Sequence, residues 1–105
     1  MNDSQTLMND RKARPVQPGE VILDLLDELE MSQSQFAEVL GLSQETVDEI
    51  IRGEEPITVD AAIRIGRAFG NGHRLWLNLQ QKVDVWDAIQ SHHTEYDRVP
   101  TLIGE

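Results

Sequence analysis

A chain of 105 residues with 39% hydrophobic and 27% charged residues has room for one compact domain with tails, not for two full-sized ones. It has no cysteine, which excludes a disulfide framework and any thiolate metal site and suits a reducing compartment such as the cytoplasm. Nineteen Asp and Glu stand against nine Lys and Arg, a net charge of −10; charge alone favours a basic protein partner over nucleic acid.

Residues 1–17 are polar, carry Arg11, Lys12 and Arg14, and show no periodicity. They read as a flexible tail, and without an apolar core they do not read as a secretory signal. No apolar run approaches the ~18 residues of a membrane span. Pro18 opens the first helix, where its fixed φ and missing N–H cost nothing. Val21, Ile22, Leu25, Leu26 and Leu29 recur at helical spacing, opposite Asp24, Asp27, Glu28 and Glu30, which makes this helix amphipathic over about three turns. Ser32 followed by Gln35 forms a capping box for a second helix with inner residues Phe36, Ala37 and Leu40. Gly41 ends that helix in the left-handed conformation. Ser43 caps a third helix, whose inner face is Val47, Ile50 and Ile51, and Gly53 stops it. Thr58 caps a fourth, with apolar positions Val59, Ala62, Ile63, Ile65 and Phe69. After the turn Gly70-Asn71-Gly72 a fifth helix runs from His73 to about Gln90. Leu75, Trp76, Leu79, Val83, Trp86 and Ile89 form its main stripe, and Leu77, Val85 and Ala88 a weaker one. Residues 91–105 read as an irregular tail. The fold class expected is all-α, five helices with short links.

The spacing within the second and third helices is the most informative feature. Phe36, Ala37, Leu40, Leu42, Val47 and Ile50 surround Gly41 in one short window. Two short helices that cross steeply need a small residue at the approach, here Ala37, and a glycine at the tight turn. That is the register of a helix-turn-helix, which leaves the outer face of the third helix free for a DNA major groove. A generic helical bundle does not require Ala37, Gly41 and Val47 in this relative order.

Residues 15–90 or so resemble the HigA-type antitoxins, the plasmid maintenance antidote branch of the lambda repressor-like helix-turn-helix regulators. The resemblance rests on Pro18-Gly19-Glu20, the block Ser34 to Ala37, Pro56-Ile57-Thr58 and Trp76-Leu77-Asn78-Leu79-Gln80. It implies a lambda repressor-like fold and a dimer that represses its own promoter by binding operator DNA. It also implies a partner, a HigB-type toxin that cleaves mRNA. Carried over by position, Gln33 touches a phosphate or braces the third helix. Gln44, Glu45, Thr46, Asp48 and Glu49 line its groove side behind the cap Ser43. Gln44 is the adenine reader, because an amide pairs with N6 and N7 together.

This chain departs from the family in charge. Residues 19–55 hold eleven acids and one base, Arg52, and a Glu54-Glu55 pair replaces the usual bases after the third helix. A carboxylate about 6 Å from a phosphate is repelled by roughly 0.7 kcal/mol even in bulk water, before salt screening. Glu45 or Glu49 can read cytosine N4 but cannot supply affinity. Phosphate binding then falls to Arg11, Lys12, Arg14 and Arg52, with Arg64, Arg67 and Arg74 in reserve. Two ideas reconcile fold and charge: the basic arm reaches the DNA backbone or minor groove, or a basic toxin bound alongside supplies positive charge.

The surplus apolar side chains of the fifth helix, Leu77, Val85, Trp86 and Ile89, are the expected dimerisation surface. A dimer would set two recognition helices about 34 Å apart. Asp24, Asp27 and Glu28 share a face without a histidine, and His92-His93 lacks a third ligand, so no metal and no cofactor is expected. No nucleophile elbow or phosphate loop is present, so no catalysis is expected. Two alternatives remain open: an acidic protein-binding module that has lost DNA recognition, and a phage-type regulator without a toxin.

Overall fold

The computed structural model describes residues 13–104, so Arg11 and Lys12 lie outside the described residues. Five helices make up the fold: α1 Pro18–Leu29, α2 Gln33–Leu40, α3 Gln44–Arg52, α4 Val59–Phe69 and α5 His73–Asp97. Among the described residues there is no strand. The chain divides into a unit of residues 16–81 and a second unit that contains residues 82–104 together with 13–15.

Within residues 16–81 the caps follow from the sequence. Pro18 occupies the start of α1. Ser32 Oγ accepts from Gln35 N at 3.0 Å, while Ser32 N donates to Gln35 Oε1 at 2.9 Å, a reciprocal capping box. Thr58 Oγ1 accepts from Ala61 N at 3.1 Å at the head of α4. Gly41 closes α2 at φ 74° and Gly53 closes α3 at φ 78°, a left-handed conformation that side chains with a Cβ resist. These stops keep α2 and α3 short enough to cross around one turn.

α1 packs on α3, and α2 packs on both α3 and α4. The core joins Ile22 and Leu26 of α1, Phe36, Ala37 and Leu40 of α2, Val47 and Ile50 of α3, Ala61, Ala62 and Ile65 of α4, and Trp76 of α5. Phe36 stacks on Phe69 at 4.9 Å between ring centroids, and Phe69 meets Trp76 at 5.7 Å. The inner face of α4 differs from the expectation. Ala61 and Ala62 are buried, whereas Val59 and Ile63 are exposed. A helix face about 100° wide holds Ala61, Ala62 and Ile65 together, and the small side chains of the two alanines let α2 come close. Leu29 and Leu75 are also exposed rather than internal.

Two close approaches explain glycines that interrupt helices. A Cβ on Gly19 would collide with the Ile51 carbonyl, and one on Gly66 would meet the backbone of Gly72 and His73. Gly19 therefore sets how tightly α1 lies on the recognition segment. Gly19→Ala is expected to cost about 1–3 kcal/mol through forced separation of α1 and α3. Urea denaturation measures this directly, and a midpoint unchanged from wild type would mean that the contact yields freely.

In the second unit, Arg14 makes a bidentate ion pair with Asp87, at 2.9 and 2.7 Å. The pair holds the Asp87 carboxyl below the usual carboxylate range, chiefly through the hydrogen bond. Residues 91–97 are not irregular: α5 continues to Asp97 through a break at His92, with φ −132° and ψ 26°. The extension has no buried residue. It is supported locally by a His92–Glu95 contact at 3.4 Å and an edge-on His92–Tyr96 pair. Such a helix has no apolar stripe for periodicity to reveal. Beyond it, Leu102 and Ile103 are exposed.

Candidate nucleic-acid interface

The surface that α3 presents is built by its first turn. Ser43 Oγ accepts from Thr46 N at 3.1 Å and donates to Thr46 Oγ1 at 2.8 Å. The Ser43 hydroxyl is thus fully engaged in the cap, and Thr46 Oγ1 accepts from it. Gln44 and Glu45 follow, both exposed. Val47 and Ile50 are buried on the opposite side, so α3 is amphipathic with its polar face outward. Gln33 is half-buried at the start of α2, next to the Ser32 cap.

The remaining expected contact residues are less free. Asp48 is half-buried, and its Oδ1 is sealed from solvent with no hydrogen-bond partner. Glu49 is half-buried and lines a cleft of about 220 Å³ between α3 and α4, together with Thr46, Glu55 and Asp60. Three carboxylates around one cleft repel phosphate.

Arg52, the single base in residues 19–55, is exposed but occupied. Its Nε and Nη2 donate to the two carboxylate oxygens of Glu54 at 3.0 and 3.1 Å. The hydrogen bond, then the charge of Arg52, holds the Glu54 carboxyl below its ordinary range. Asp48 and Glu49 add to the field that stabilises the guanidinium. Arg64, counted as a reserve cation, is likewise engaged. It donates to the Leu40 carbonyl at 2.7 Å and to Asp60 at 2.9 Å. Arg14 is held by Asp87. Long-range pairing of this kind, 73 residues apart for Arg14 and Asp87, leaves no local signal in the sequence.

Sequence reasoning missed Gln80 and Asn71 as positioning residues. Gln80 Oε1 accepts from Ile57 N at 2.8 Å, which fixes the segment between α3 and α4. Trp76 Nε1 donates to Asn71 Oδ1 at 2.9 Å. Both bonds start in the Trp76 to Gln80 block, where a polar residue one turn from a buried tryptophan was the available sign. Of the four residues expected at a dimer surface, Leu77 packs partly against the core of residues 16–81. Trp86 is half-buried, and Val85 and Ile89 are 49% and 47% exposed.

Among the described residues no helix is long and apolar enough to cross a membrane, and no cluster of three or more His, Asp or Glu is placed to hold a metal ion.

Comparison with known proteins fits this geometry. The family profile of helix-turn-helix proteins matches residues 22–82. Antitoxin HigA-1 of Vibrio cholerae is 34% identical over 90% of this chain and 90% of its own length. A crystal structure from Nostoc punctiforme, assigned to a plasmid maintenance system as its antidote protein, is 59% identical. It covers 87% of this chain and 100% of that one, with a TM-score of 0.76. The antitoxin HigA of Pseudomonas aeruginosa, solved with the higBA promoter, is 33% identical with a TM-score of 0.79, covering 86% of this chain and 100% of that one.

Proposed function

The chain belongs to the helix-turn-helix family, in its HigA-type antitoxin branch, and from that membership we propose that it is a dimeric autorepressor that binds its own operator and neutralises an mRNA-cleaving toxin. The observation that carries the DNA-binding half is the outward polar face of α3, with Gln44 exposed behind a formed Ser43 cap and Val47 and Ile50 buried beneath it. The relative from Pseudomonas aeruginosa, solved with the higBA promoter, supports DNA binding. Residues 18–90 are the domain that does this work, in the cytoplasm where DNA and mRNA are, and they perform no catalysis. Leu77, Val85, Trp86 and Ile89 contribute to the dimer contact, with Val85 and Ile89 the most available. The acid excess of the chain, −10 overall, matches an RNA-cleaving toxin, which needs a basic surface to hold its substrate.

A second reading has its own observation. The engagement of Arg52 by Glu54 and the three carboxylates of the α3–α4 cleft favour a protein-binding module that has given up DNA. A mobility shift with the DNA upstream of the gene, at low and at ~150 mM salt and with or without the neighbouring gene product, separates the two. A sequence-preferring shift supports the repressor; its absence under every condition supports the module. Gln44→Ala is expected to weaken operator binding by roughly 5- to 150-fold, the range for one bidentate base contact, with little change on random duplex. Equal loss on both duplexes would place Gln44 at phosphate instead.

A further inference from the structure

On α3 the groove side narrows to two side chains. Gln44 and Glu45 are exposed and have no hydrogen bond or ion pair among the described residues. The Ser43 hydroxyl donates to Thr46 Oγ1, and Thr46 is half-buried in the cleft between α3 and α4. Asp48 has one oxygen sealed inside, Glu49 lies in the cleft, and Arg52 is bound to Glu54. We infer that Glu45 is a specificity-determining residue that reads cytosine in the major groove and, by the same charge, weakens the overall hold on DNA. The inference rests on the operator-binding reading and says which base edge this chain adds to it.

The chemistry follows from the donors available. An ionised carboxylate only accepts hydrogen bonds. In the major groove guanine offers O6 and N7, both acceptors, and thymine offers O4 and a methyl group. All of these repel or ignore a carboxylate. Adenine offers an amino group at N6, but its N7 lone pair lies beside it. Cytosine N4 is flanked by an acceptor on one side only, the O6 of its paired guanine, whereas adenine N6 lies between N7 and the paired thymine O4, so cytosine is the base that satisfies Glu45 best. Gln44, one residue earlier, points about 100° away around the helix and addresses a different base pair. One half-site should therefore carry both an adenine and a cytosine preference.

The cost in affinity comes from the surroundings. Residues 19–55 hold no base other than Arg52, and Arg52 is already paired with Glu54, so that stretch offers no free cation to offset Glu45 when phosphates approach. A carboxylate that contacts cytosine raises discrimination while it lowers binding to every duplex. Removing it should therefore move affinity and specificity in opposite directions. A residue that merely supports the helix would lower both.

The test uses the full chain, selection from a randomised duplex library, and mobility shifts at one fixed salt concentration. Wild type should enrich cytosine at one position of each half-site. Glu45→Ala should bring the roughly 5- to 150-fold discrimination expected at that base pair close to one while binding random duplex more tightly. Glu45→Gln should shift the preference towards adenine. Glu38→Ala, at another exposed acid, on α2, should leave the selected sequence unchanged. If wild type selects a sequence and Glu45→Ala selects the same one, Glu45 is not a reader, though the operator reading stands. Weaker binding of Glu45→Ala to every duplex would also overturn the inference. If wild type selects no sequence, the operator reading itself fails and this one with it.

Discussion

Glu54→Lys should tighten DNA binding more than any other single exposed change in the chain. The substitution acts twice. It removes a carboxylate beside α3, the helix proposed to enter the groove, and it releases Arg52, whose Nε and Nη2 are held at 3.0 and 3.1 Å. Each subunit then gains two cations able to meet phosphate, Lys at position 54 and the freed Arg52. Because each phosphate neutralised releases condensed counterions, the slope of log affinity against log salt should steepen by roughly 0.9 per contact, or about 2 per subunit. Affinity at low salt should rise at least ~10-fold, equally on operator and random duplex, because phosphate contacts carry no sequence information. Glu54→Gln separates the effects: it should free Arg52 alone and give about half the change in slope. An unchanged slope in both variants would show that this corner does not approach the backbone. Acid is a poor substitute for the mutation. The Glu54 carboxyl is held below its ordinary range by Arg52, so the pair is intact at neutral pH and breaks only as pH falls through that lowered range.

Trp76→Ala should be the most destabilising single substitution. Trp76 is fully buried, closes the aromatic row Phe36–Phe69–Trp76, and places its indole N–H on Asn71. Truncation removes a large apolar area, leaves a cavity, and strands the Asn71 acceptor. Large-to-small changes of this kind cost about 3–5 kcal/mol, a large part of the 5–15 kcal/mol typical of a domain. For a domain of this size that corresponds to a fall in Tm of at least ~12 °C, read by circular dichroism. Trp76→Phe keeps the ring stack and loses the hydrogen bond, so its cost should be clearly smaller. Similar melting curves for the two variants would mean that the ring row contributes little.

The helix boundaries were legible because they rest on local chemistry. Ser32 with Gln35, Ser43, Thr58, Gly41 and Gly53 each act within a few residues, and each did in the structure what its type and position require. The crossing of α2 and α3 was legible for the same reason, since Ala37 and Gly41 answer a steric demand. Of the apolar positions read for α4, Ala62 and Ile65 are buried together with Ala61, whereas Val59 and Ile63 are exposed, because apolar type does not ensure burial. The continuation of α5 past Gln90 was missed because its support is polar and local. At the candidate interface, Gln44 and Glu45 could be placed from the Ser43 cap alone. The pairing of Arg14 with Asp87, 73 residues away, could not, nor could the bond from Arg64 to the Leu40 carbonyl; Arg52 with Glu54 and Asp60 with Arg64 are close in sequence and were passed over because charges were counted rather than paired. Gly19 and Gly66 looked like weak points in helices until the opposing backbones were seen.

Arg64 ties two distant stretches with one guanidinium, the last carbonyl of α2 and the second residue of α4. Ends joined in this way cannot fray separately: motion that loosens one withdraws the donor from the other. The last turn of α2 and the first turns of α4 are therefore expected to open together. Amide exchange in the last turn of α2 should follow that of α4 rather than the faster rate common at a free helix end.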